Sequence, residues 1–236
     1  MSRAIGLSAF LVFGLAAPAA GREGATVQCP PTLVNGLADT RNAQQLVTVV
    51  APTKRSTTAA LQLWRKVDDC WVTAAGPWRA YLGRNGLSAD RHEGDKTTPM
   101  GIFGFRRVMY GLAPNPGVRY RYHRIVCGDW WVEDPRSPYY NKFHHVRCGA
   151  KPPFRTTSED MSKSPMAYRH LVVVDFNTHP IVPGRGSGIF LHVSTGRPTL
   201  GCVSLPRAQL VRTLRWLDPA ASPLIAIGTK RFLANL

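Results

Sequence analysis

A cysteine and a histidine that lie close together in the chain are the first sign of chemistry in this sequence. Apolar residues 188–191 predict a strand that ends at His192, and ten residues later Gly201 precedes Cys202. A thiol is a useful nucleophile only as thiolate, so it needs an imidazole or a helix N-terminus to lower its pKa from about 8.5. A strand–turn return of this length brings both side chains face to face. The spacing predicts Cys202 as nucleophile and His192 as base; the alternative is a buried, inert Cys202.

A helix expected soon after the cysteine would assist this chemistry. Residues 205–217 carry apolar side chains at a helical period, with Pro206 near the first turn. If the helix begins at Leu205, Cys202 lies just before its N-terminus, where the helix dipole favours negative charge on sulfur. Successive backbone N–H groups at this point can hold an oxyanion, and Gly201 lets the backbone approach the substrate closely.

The beginning of the chain has the pattern of a secretory signal peptide. Arg3 precedes an apolar run over residues 5–20 that ends in APAA, an A-x-A pattern. We expect residues 1–19 to be removed and residues 20–236 to form a single domain. The run is shorter than the roughly 20 apolar residues that span a bilayer, although a retained anchor or a buried helix is the alternative. The sequence indicates a secreted or periplasmic protein without a transmembrane segment after cleavage.

The number of cysteines is odd, which matters in an exported chain. Five cysteines allow two disulfides and leave one thiol. Cys127 and Cys148 bracket a segment rich in Trp, Tyr and Pro, and Cys29 near the mature N-terminus can pair with Cys70. We therefore assign the thiol to Cys202, while other pairings remain open from the sequence alone.

The charge of the chain limits the kinds of partner. A formal net charge of +16 implies an anionic environment, which is nucleic acid, a membrane surface or an acidic wall polymer. The basic residues are scattered and the chain is expected to be exported, so nucleic acid is the weaker reading. His123, His144 and His145 with Cys148 fit no regular zinc spacing. We expect no metal and no cofactor.

Short apolar segments separated by turns predict a mainly β domain with one good helix late in the chain. Residues 83–100 read as a polar loop, residues 114–155 as an insertion, and Ser158-Glu159-Asp160 as the start of a helix. The predicted strands cover residues 45–51, 60–67, 70–73, 78–82, 101–109, 171–176 and 188–193, and Asp68-Asp69 is the turn of a hairpin.

Two runs around the cysteine resemble the active-site signature of the YkuD/ErfK-type L,D-transpeptidases. These are GRGSGIFLH at residues 184–192 and PTLGCV at residues 198–203, in which a His ends a strand and [Ser/Thr]-x-Gly-Cys follows. The run GDKTTPMGIF at residues 94–103 is similar to an upstream segment of the family, as are residues 134–141 and 168–177. The resemblance extends over residues 48–217. It departs at Leu200, where many members carry His, and after Cys202, where many carry Arg or Asn.

The resemblance implies an L,D-transpeptidase-like β-sandwich with a few short helices and the disulfide-linked insertion. It also implies that Cys202 attacks the carbonyl between diaminopimelate and D-Ala of a peptidoglycan stem. The acyl-enzyme then passes to the amine of a second stem, which gives a 3→3 cross-link. His192 is the implied base, with its other ring nitrogen held by a backbone carbonyl.

The same resemblance implies the partners and the remaining site residues. Gly201 and Cys202 are the implied oxyanion donors, and we expect Thr199, Ser187 and Tyr168 to contribute to substrate binding. Carbapenem-type β-lactams are implied as covalent inhibitors, and the basic surface would hold the enzyme on anionic wall polymer. Two alternatives remain: an L,D-carboxypeptidase or endopeptidase of the same fold, and a non-catalytic wall-binding protein.

Overall fold

The protein is described by a computed structural model that covers Met1 and residues 28–40, 42–155 and 158–236. Apart from Met1, the signal peptide expected at residues 1–19 lies outside the described residues. The strands are β1 (Gln45–Ala51), β2 (Thr58–Val67), β3 (Cys70–Tyr81), β4 (Leu87–Ser88), β5 (Thr98–Pro99), β6 (Gly101–Phe103), β7 (Phe105–Gly111), β8 (Arg121–Arg124), β9 (Asp129–Trp131), β10 (Phe143–His145), β11 (Glu159–Asp160), β12 (Leu171–Val174), β13 (Phe190–Val193), β14 (Val203–Leu205) and β15 (Leu224–Thr229). The helices are α1 (Arg207–Trp216) and α2 (Lys230–Leu233), and short 3₁₀ turns occur at Val34–Gly36, Met161–Lys163, Ala167–Arg169 and Pro219–Ala221.

One large curled sheet organises the molecule. Its strand order is β6-β15-β1-β2-β3-β14-β13-β12-β7-β8. Both faces of the sheet are covered along β1 and β12, since every residue of β12 and all but one of β1 are buried. This burial explains why these strands read as continuous apolar runs. The prediction of a mainly β domain with a few short helices is confirmed.

Part of the insertion packs against the large sheet, while its strand β8 joins that sheet at the edge. Strands β10, β9 and β11 make a separate three-stranded sheet in that order. Trp131 of β9 packs edge-on against Phe190 of β13, with ring centroids 5.2 Å apart. Leu171, Val173 and Tyr168 complete this apolar cluster. The insertion therefore lies directly against the strand that ends near His192.

Both expected disulfides form. Cys29 bonds to Cys70, Cys127 bonds to Cys148, and Cys202 is the free cysteine. Closing a loop of the size between Cys127 and Cys148 stabilises by roughly 3 kcal/mol in the chain-entropy model. Cys148 is thus unavailable to a metal, and His123 and His145 instead contact the buried Asp129 at 2.7 Å each.

The hairpin of β2 and β3 forms around Asp68-Asp69 as expected. Both aspartates have positive φ, 46° and 62°, a conformation that Asp tolerates and that matches the twist of a two-residue hairpin. The two strands expected over residues 70–73 and 78–82 are one continuous strand, β3. The loop over residues 83–100 contains only the short pair β4 and β5.

Two local predictions are wrong. The helix does not begin at Leu205, because residues 203–205 form β14, which pairs in parallel with β13; the helix begins at Arg207, after Pro206. Likewise Glu159–Asp160 is a short strand paired with β9, and Asp160 caps only the 3₁₀ turn Met161–Lys163. Tertiary pairing overrides local helical preference in both places.

Candidate active site

The imidazole of His192 is held by its own strand. His192 lies in β13 between Leu171 of β12 and Ser204 of β14, and only 7% of the residue is exposed. Its Nδ1 lies 2.8 Å from the carbonyl oxygen of Val193. A carbonyl only accepts hydrogen bonds, so Nδ1 carries the proton and Nε2 is left as the acceptor. Burial lowers the pKa of His192 to about 4, which keeps the ring neutral near pH 7.

The thiol of Cys202 is positioned by the parallel pair of β13 and β14. Val203 is in register with Leu191, so the preceding Cys202 lies beside Phe190. The Phe190 N–H donates to Sγ at 3.3 Å, and the thiol donates to the carbonyl oxygen of Gly188 at 3.3 Å. Burial raises the pKa of Cys202 to about 12, although the Phe190 N–H and Arg91 act in the opposite direction. The sulfur is therefore a neutral thiol in this arrangement.

Cys202 and His192 line one cavity of about 300 Å³, but the thiol is turned toward Gly188 rather than toward the imidazole. The helix-dipole argument for a thiolate also fails, because β14 separates Cys202 from α1. A rotation about the Cys202 side chain is thus needed before its proton can pass to His192. The thiol and the imidazole are both neutral in this arrangement.

Thr199 stabilises the turn that precedes Cys202 through its hydrogen bonds. Its hydroxyl donates to the carbonyl oxygen of Cys202 at 2.6 Å and accepts the N–H of Gly201 at 3.1 Å. Its backbone N–H donates to Leu82 at 2.8 Å, which ties the turn to the end of β3. Since the Gly201 amide already has a partner, it is not free to hold an oxyanion in this structure. The hydroxyl of Thr199 is likewise committed to the turn.

Gly201 makes room for a buried arginine. It has a φ of 141°, and a Cβ at this position would lie 2.9 Å from both Arg91 Nη2 and the Thr97 carbonyl oxygen. The neighbouring Gly186 leaves space for the same guanidinium. The glycine that we expected to admit the substrate therefore admits Arg91.

The other two expected residues are near the cavity but differ in role. Ser187 donates its hydroxyl to Glu93 at 2.6 Å. Tyr168 is buried and packs edge-on against Phe190 and His192, with centroid distances of 5.6 and 5.9 Å. Tyr168 thus restrains the imidazole ring. Five of the six residues singled out from the sequence line the cavity, and the sixth, Gly201, lies in the turn that precedes Cys202.

Charged residues that the sequence did not single out line the same cavity. Arg91 and Glu93 come from the loop over residues 83–100, Glu133 follows β9, and Glu159 belongs to β11. Burial, then the charges of Glu93 and Glu159, raises the pKa of Glu133 to about 8. No sequence signal links these residues, because they are brought together only by the insertion and the long loop.

Three larger cavities, of about 610, 410 and 340 Å³, lie elsewhere and are lined by no cysteine. The largest is bordered by basic and aromatic side chains: Phe105, Arg106, Arg107, Tyr110, Trp131, Lys142 and Phe143. Chemistry rather than size identifies the smaller cavity as the candidate active site.

Over the described ranges, no group of three or more His, Cys, Asp or Glu side chains is arranged to hold a metal ion. No helix within those ranges is long and apolar enough to cross a membrane.

A comparison with protein families identifies the domain. The model of the L,D-transpeptidase catalytic domain, YkuD, matches residues 49–227, which include the end of β1, the cavity and most of β15. No curated protein matches the chain.

Proposed function

Because the chain belongs to the YkuD family of L,D-transpeptidase catalytic domains, we propose that it is an exported cysteine enzyme that cross-links peptidoglycan stem peptides. The observation that carries the proposal is the unpaired Cys202 thiol, which shares its cavity with an imidazole whose Nδ1 is fixed by the Val193 carbonyl. A neutral imidazole with a free Nε2 is the form that a general base needs.

The first half of the proposed reaction forms a thioester. Cys202 Sγ turns from Gly188 toward His192, its proton passes to Nε2, and the sulfur attacks the carbonyl carbon that precedes the terminal D-Ala. The resulting oxyanion accepts the backbone N–H of Cys202. The imidazolium then returns its proton to the nitrogen of D-Ala, the C–N bond breaks, and D-Ala leaves.

The second half consumes the thioester. The side-chain amine of a second stem attacks the acyl carbon, His192 takes the proton of that amine, and the C–S bond breaks with return of a proton to sulfur. The product is a 3→3 peptide cross-link. Water in place of the amine would give a carboxypeptidase, so the identity of the attacking group separates the two activities.

Two features support export to the cell wall. The Cys29–Cys70 and Cys127–Cys148 disulfides persist in oxidising compartments and are rare in the cytosol. The net charge of +16 favours binding to an anionic surface such as acidic wall polymer. We propose that the mature protein comprises residues 20–236, is wall-associated and binds peptidoglycan stems without a metal or cofactor.

The experiment is mass spectrometry of the folded protein after exposure to a carbapenem and, separately, to a tetrapeptide stem with and without an acceptor amine. We expect a covalent adduct at Cys202 and an amine-dependent dimer product. Cys202→Ala should abolish both while its circular-dichroism spectrum stays unchanged. Release of D-Ala without dimer at any amine concentration would identify a carboxypeptidase. No adduct at all would favour a non-catalytic binding protein.

A further inference from the structure

An excess of carboxylates around the thiol is unexpected in a chain this basic. The sequence has 30 Lys and Arg against 14 Asp and Glu. Three of those acids, Glu93, Glu133 and Glu159, nevertheless line the cavity of Cys202, against two cations, Arg91 and Lys96. Each carboxylate near the sulfur opposes formation of a thiolate, because like charges repel. Both Glu133 and Glu159 indeed raise the pKa of Cys202.

The three carboxylates differ in how they are hydrogen-bonded. Glu93 Oε2 accepts the Tyr140 hydroxyl at 2.5 Å and the Ser187 hydroxyl at 2.6 Å. Glu159 Oε1 accepts the Ser164 hydroxyl at 3.1 Å. Within the described ranges no hydrogen bond reaches the carboxylate of Glu133. Glu133 is half-buried, so either water or a ligand can supply the donors that its carboxylate lacks.

The carboxylate of Glu133 lies close to the reacting sulfur. A Cβ built on Gly188 would lie 2.5 Å from Glu133 Oε1, so this oxygen is in contact with Gly188. The carbonyl of that same glycine accepts the thiol of Cys202 at 3.3 Å. A group bound to Glu133 therefore lies next to the glycine whose carbonyl oxygen accepts the thiol.

Arg91 lines the same cavity and lowers the pKa of Glu133, but it does not outweigh burial and the neighbouring carboxylates. The Arg91 side chain is only 4% exposed, and its Nε and Nη1 have no hydrogen-bond partner in the described part of the chain. Its nearest carboxylate is Asp95, at 3.7 Å. A guanidinium only donates hydrogen bonds, so these unmade bonds indicate that the cavity also receives an acceptor group of a ligand, such as a carbonyl or carboxylate oxygen.

We propose that Glu133 and Glu159 form a subsite for a primary ammonium group of the substrate, and that the bound cation promotes ionisation of Cys202. The inference rests on the proposed function for the identity of the ligand, which is an amine-bearing peptide. The ammonium supplies the donors that Glu133 lacks and cancels the negative charge that opposes the thiolate. The thiol is therefore less reactive when no amine-bearing substrate occupies the cavity.

The protonation of Glu133 sets the conditions for the test. Its pKa of about 8 means that the carboxyl is mostly neutral at pH 7 and charged at pH 9. An ammonium of ordinary pKa, about 10.4, remains charged at pH 9. The measurement is therefore made at pH 9, where both partners carry charge.

The test measures the rate at which iodoacetamide, a neutral reagent, alkylates Cys202 at increasing concentrations of N-acetyl-lysinamide. Mass spectrometry quantifies the alkylated protein. We expect a saturable acceleration of roughly threefold or more. The Nε-acetylated compound has the same backbone and no charge, so it should have no effect. Slowing by the charged compound, or equal acceleration by both compounds, would overturn the proposal.

The variant Glu133→Gln separates this role from a structural one. The alkylation rate without amine should rise, while the acceleration caused by the amine should fall. Its basal alkylation should be faster than that of the parent protein, and its response to N-acetyl-lysinamide should be lost. Glu159→Gln should show the same pattern more weakly. Asp90→Asn removes the same charge from a fully exposed position and should change neither rate.

The thermal unfolding midpoint of each variant shows whether it is folded before its alkylation rates are compared. Should Glu133→Gln fail to fold, Glu159→Gln carries the comparison. A folded Glu133→Gln protein with slower basal alkylation, or with an undiminished response to the amine, would contradict the inference. Amine-dependent alkylation in a protein that neither carbapenem nor tetrapeptide acylates would instead contradict only the proposed function.

Discussion

The guanidinium of Arg91 occupies the space that a side chain on Gly201 would fill. The Cβ of any other residue there would lie 2.9 Å from Arg91 Nη2. Arg91 is one of the groups that lower the pKa of Cys202, so the glycine makes room for a positive charge that acts on this thiol. Three predictions concern this turn and His192, and a fourth concerns the buried His170.

Gly201→Ala should displace Arg91 and strain the turn. A methyl group would meet the Thr97 carbonyl at 2.9 Å, and the φ of 141° disfavours any L residue. We expect a loss of about 1–3 kcal/mol in the free energy of unfolding, together with a fall in the rate of carbapenem acylation. Urea titration and mass spectrometry measure the two effects.

The matched control is Gly196→Ala, which also has positive φ, 79°, but has no atom within 4 Å of the built Cβ. It should lose stability through its backbone alone and keep its acylation rate. Equal acylation rates in the two variants would show that Arg91 is not needed near the cysteine.

Thr199→Val should slow acylation by loosening the cysteine turn. The substitution keeps the shape of the side chain but removes the hydroxyl that joins the Gly201 N–H to the Cys202 carbonyl. We expect a loss of about 1–3 kcal/mol in stability and slower acylation. Thr199→Ser retains the hydroxyl and should restore most of both. If Ser and Val behave alike, the methyl group matters and the hydrogen bonds do not.

The pH profile of acylation should have its acidic limb far below the ordinary range of histidine. Burial lowers the pKa of His192 to about 4, so the base is neutral throughout pH 5–8 and gains a proton only near pH 4. The rate of carbapenem acylation should be nearly flat over pH 5–8 and fall toward pH 4. An acidic limb near pH 6.5, with the fold intact by circular dichroism, would mean that His192 is solvated or ion-paired in the working enzyme.

His170 should make the protein sensitive to acid. Burial lowers its pKa to about 4 against 6.5 for an exposed histidine, so the unfolded chain binds the extra proton between those values. The stabilisation is complete above pH 6.5 and is lost as the pH falls toward 4, by up to about 3 kcal/mol. His170→Gln removes this dependence. Urea titrations at pH 7.5 and 4.5 should therefore show a smaller drop for the variant, and an equal drop would place the acid sensitivity elsewhere, His192 included.

The sequence was informative wherever neighbours in the chain are also neighbours in space. Residues 188–192 are apolar and end in His192, and the parallel pairing of β13 with β14 then brings Cys202 into the same cavity. The odd cysteine was identified correctly for a similar reason, since the other four lie in segments that loops can close. Strand positions follow from continuous apolar runs buried on both faces.

Prediction failed where tertiary contacts decide. Leu205 fits a helical period, yet β14 gains an inter-strand ladder with β13 before the helix begins at Arg207. Glu133 and Glu159 became part of the site because β9 of the insertion pairs with β11, which follows it in the chain, and no local pattern reveals this pairing. Arg91 was overlooked because a single arginine in a polar loop looks like any surface residue.

The bond between His192 Nδ1 and the Val193 carbonyl has a consequence for how this base can be altered. In many enzymes a carboxylate aims the histidine, and mutation of that carboxylate misaligns the ring. Here the aiming atom belongs to the peptide backbone of the next residue, so no side-chain substitution can delete it, and it carries no proton that changing acidity could add or remove. Any variant that keeps His192 and still forms β13 therefore keeps the backbone carbonyl that orients the imidazole ring.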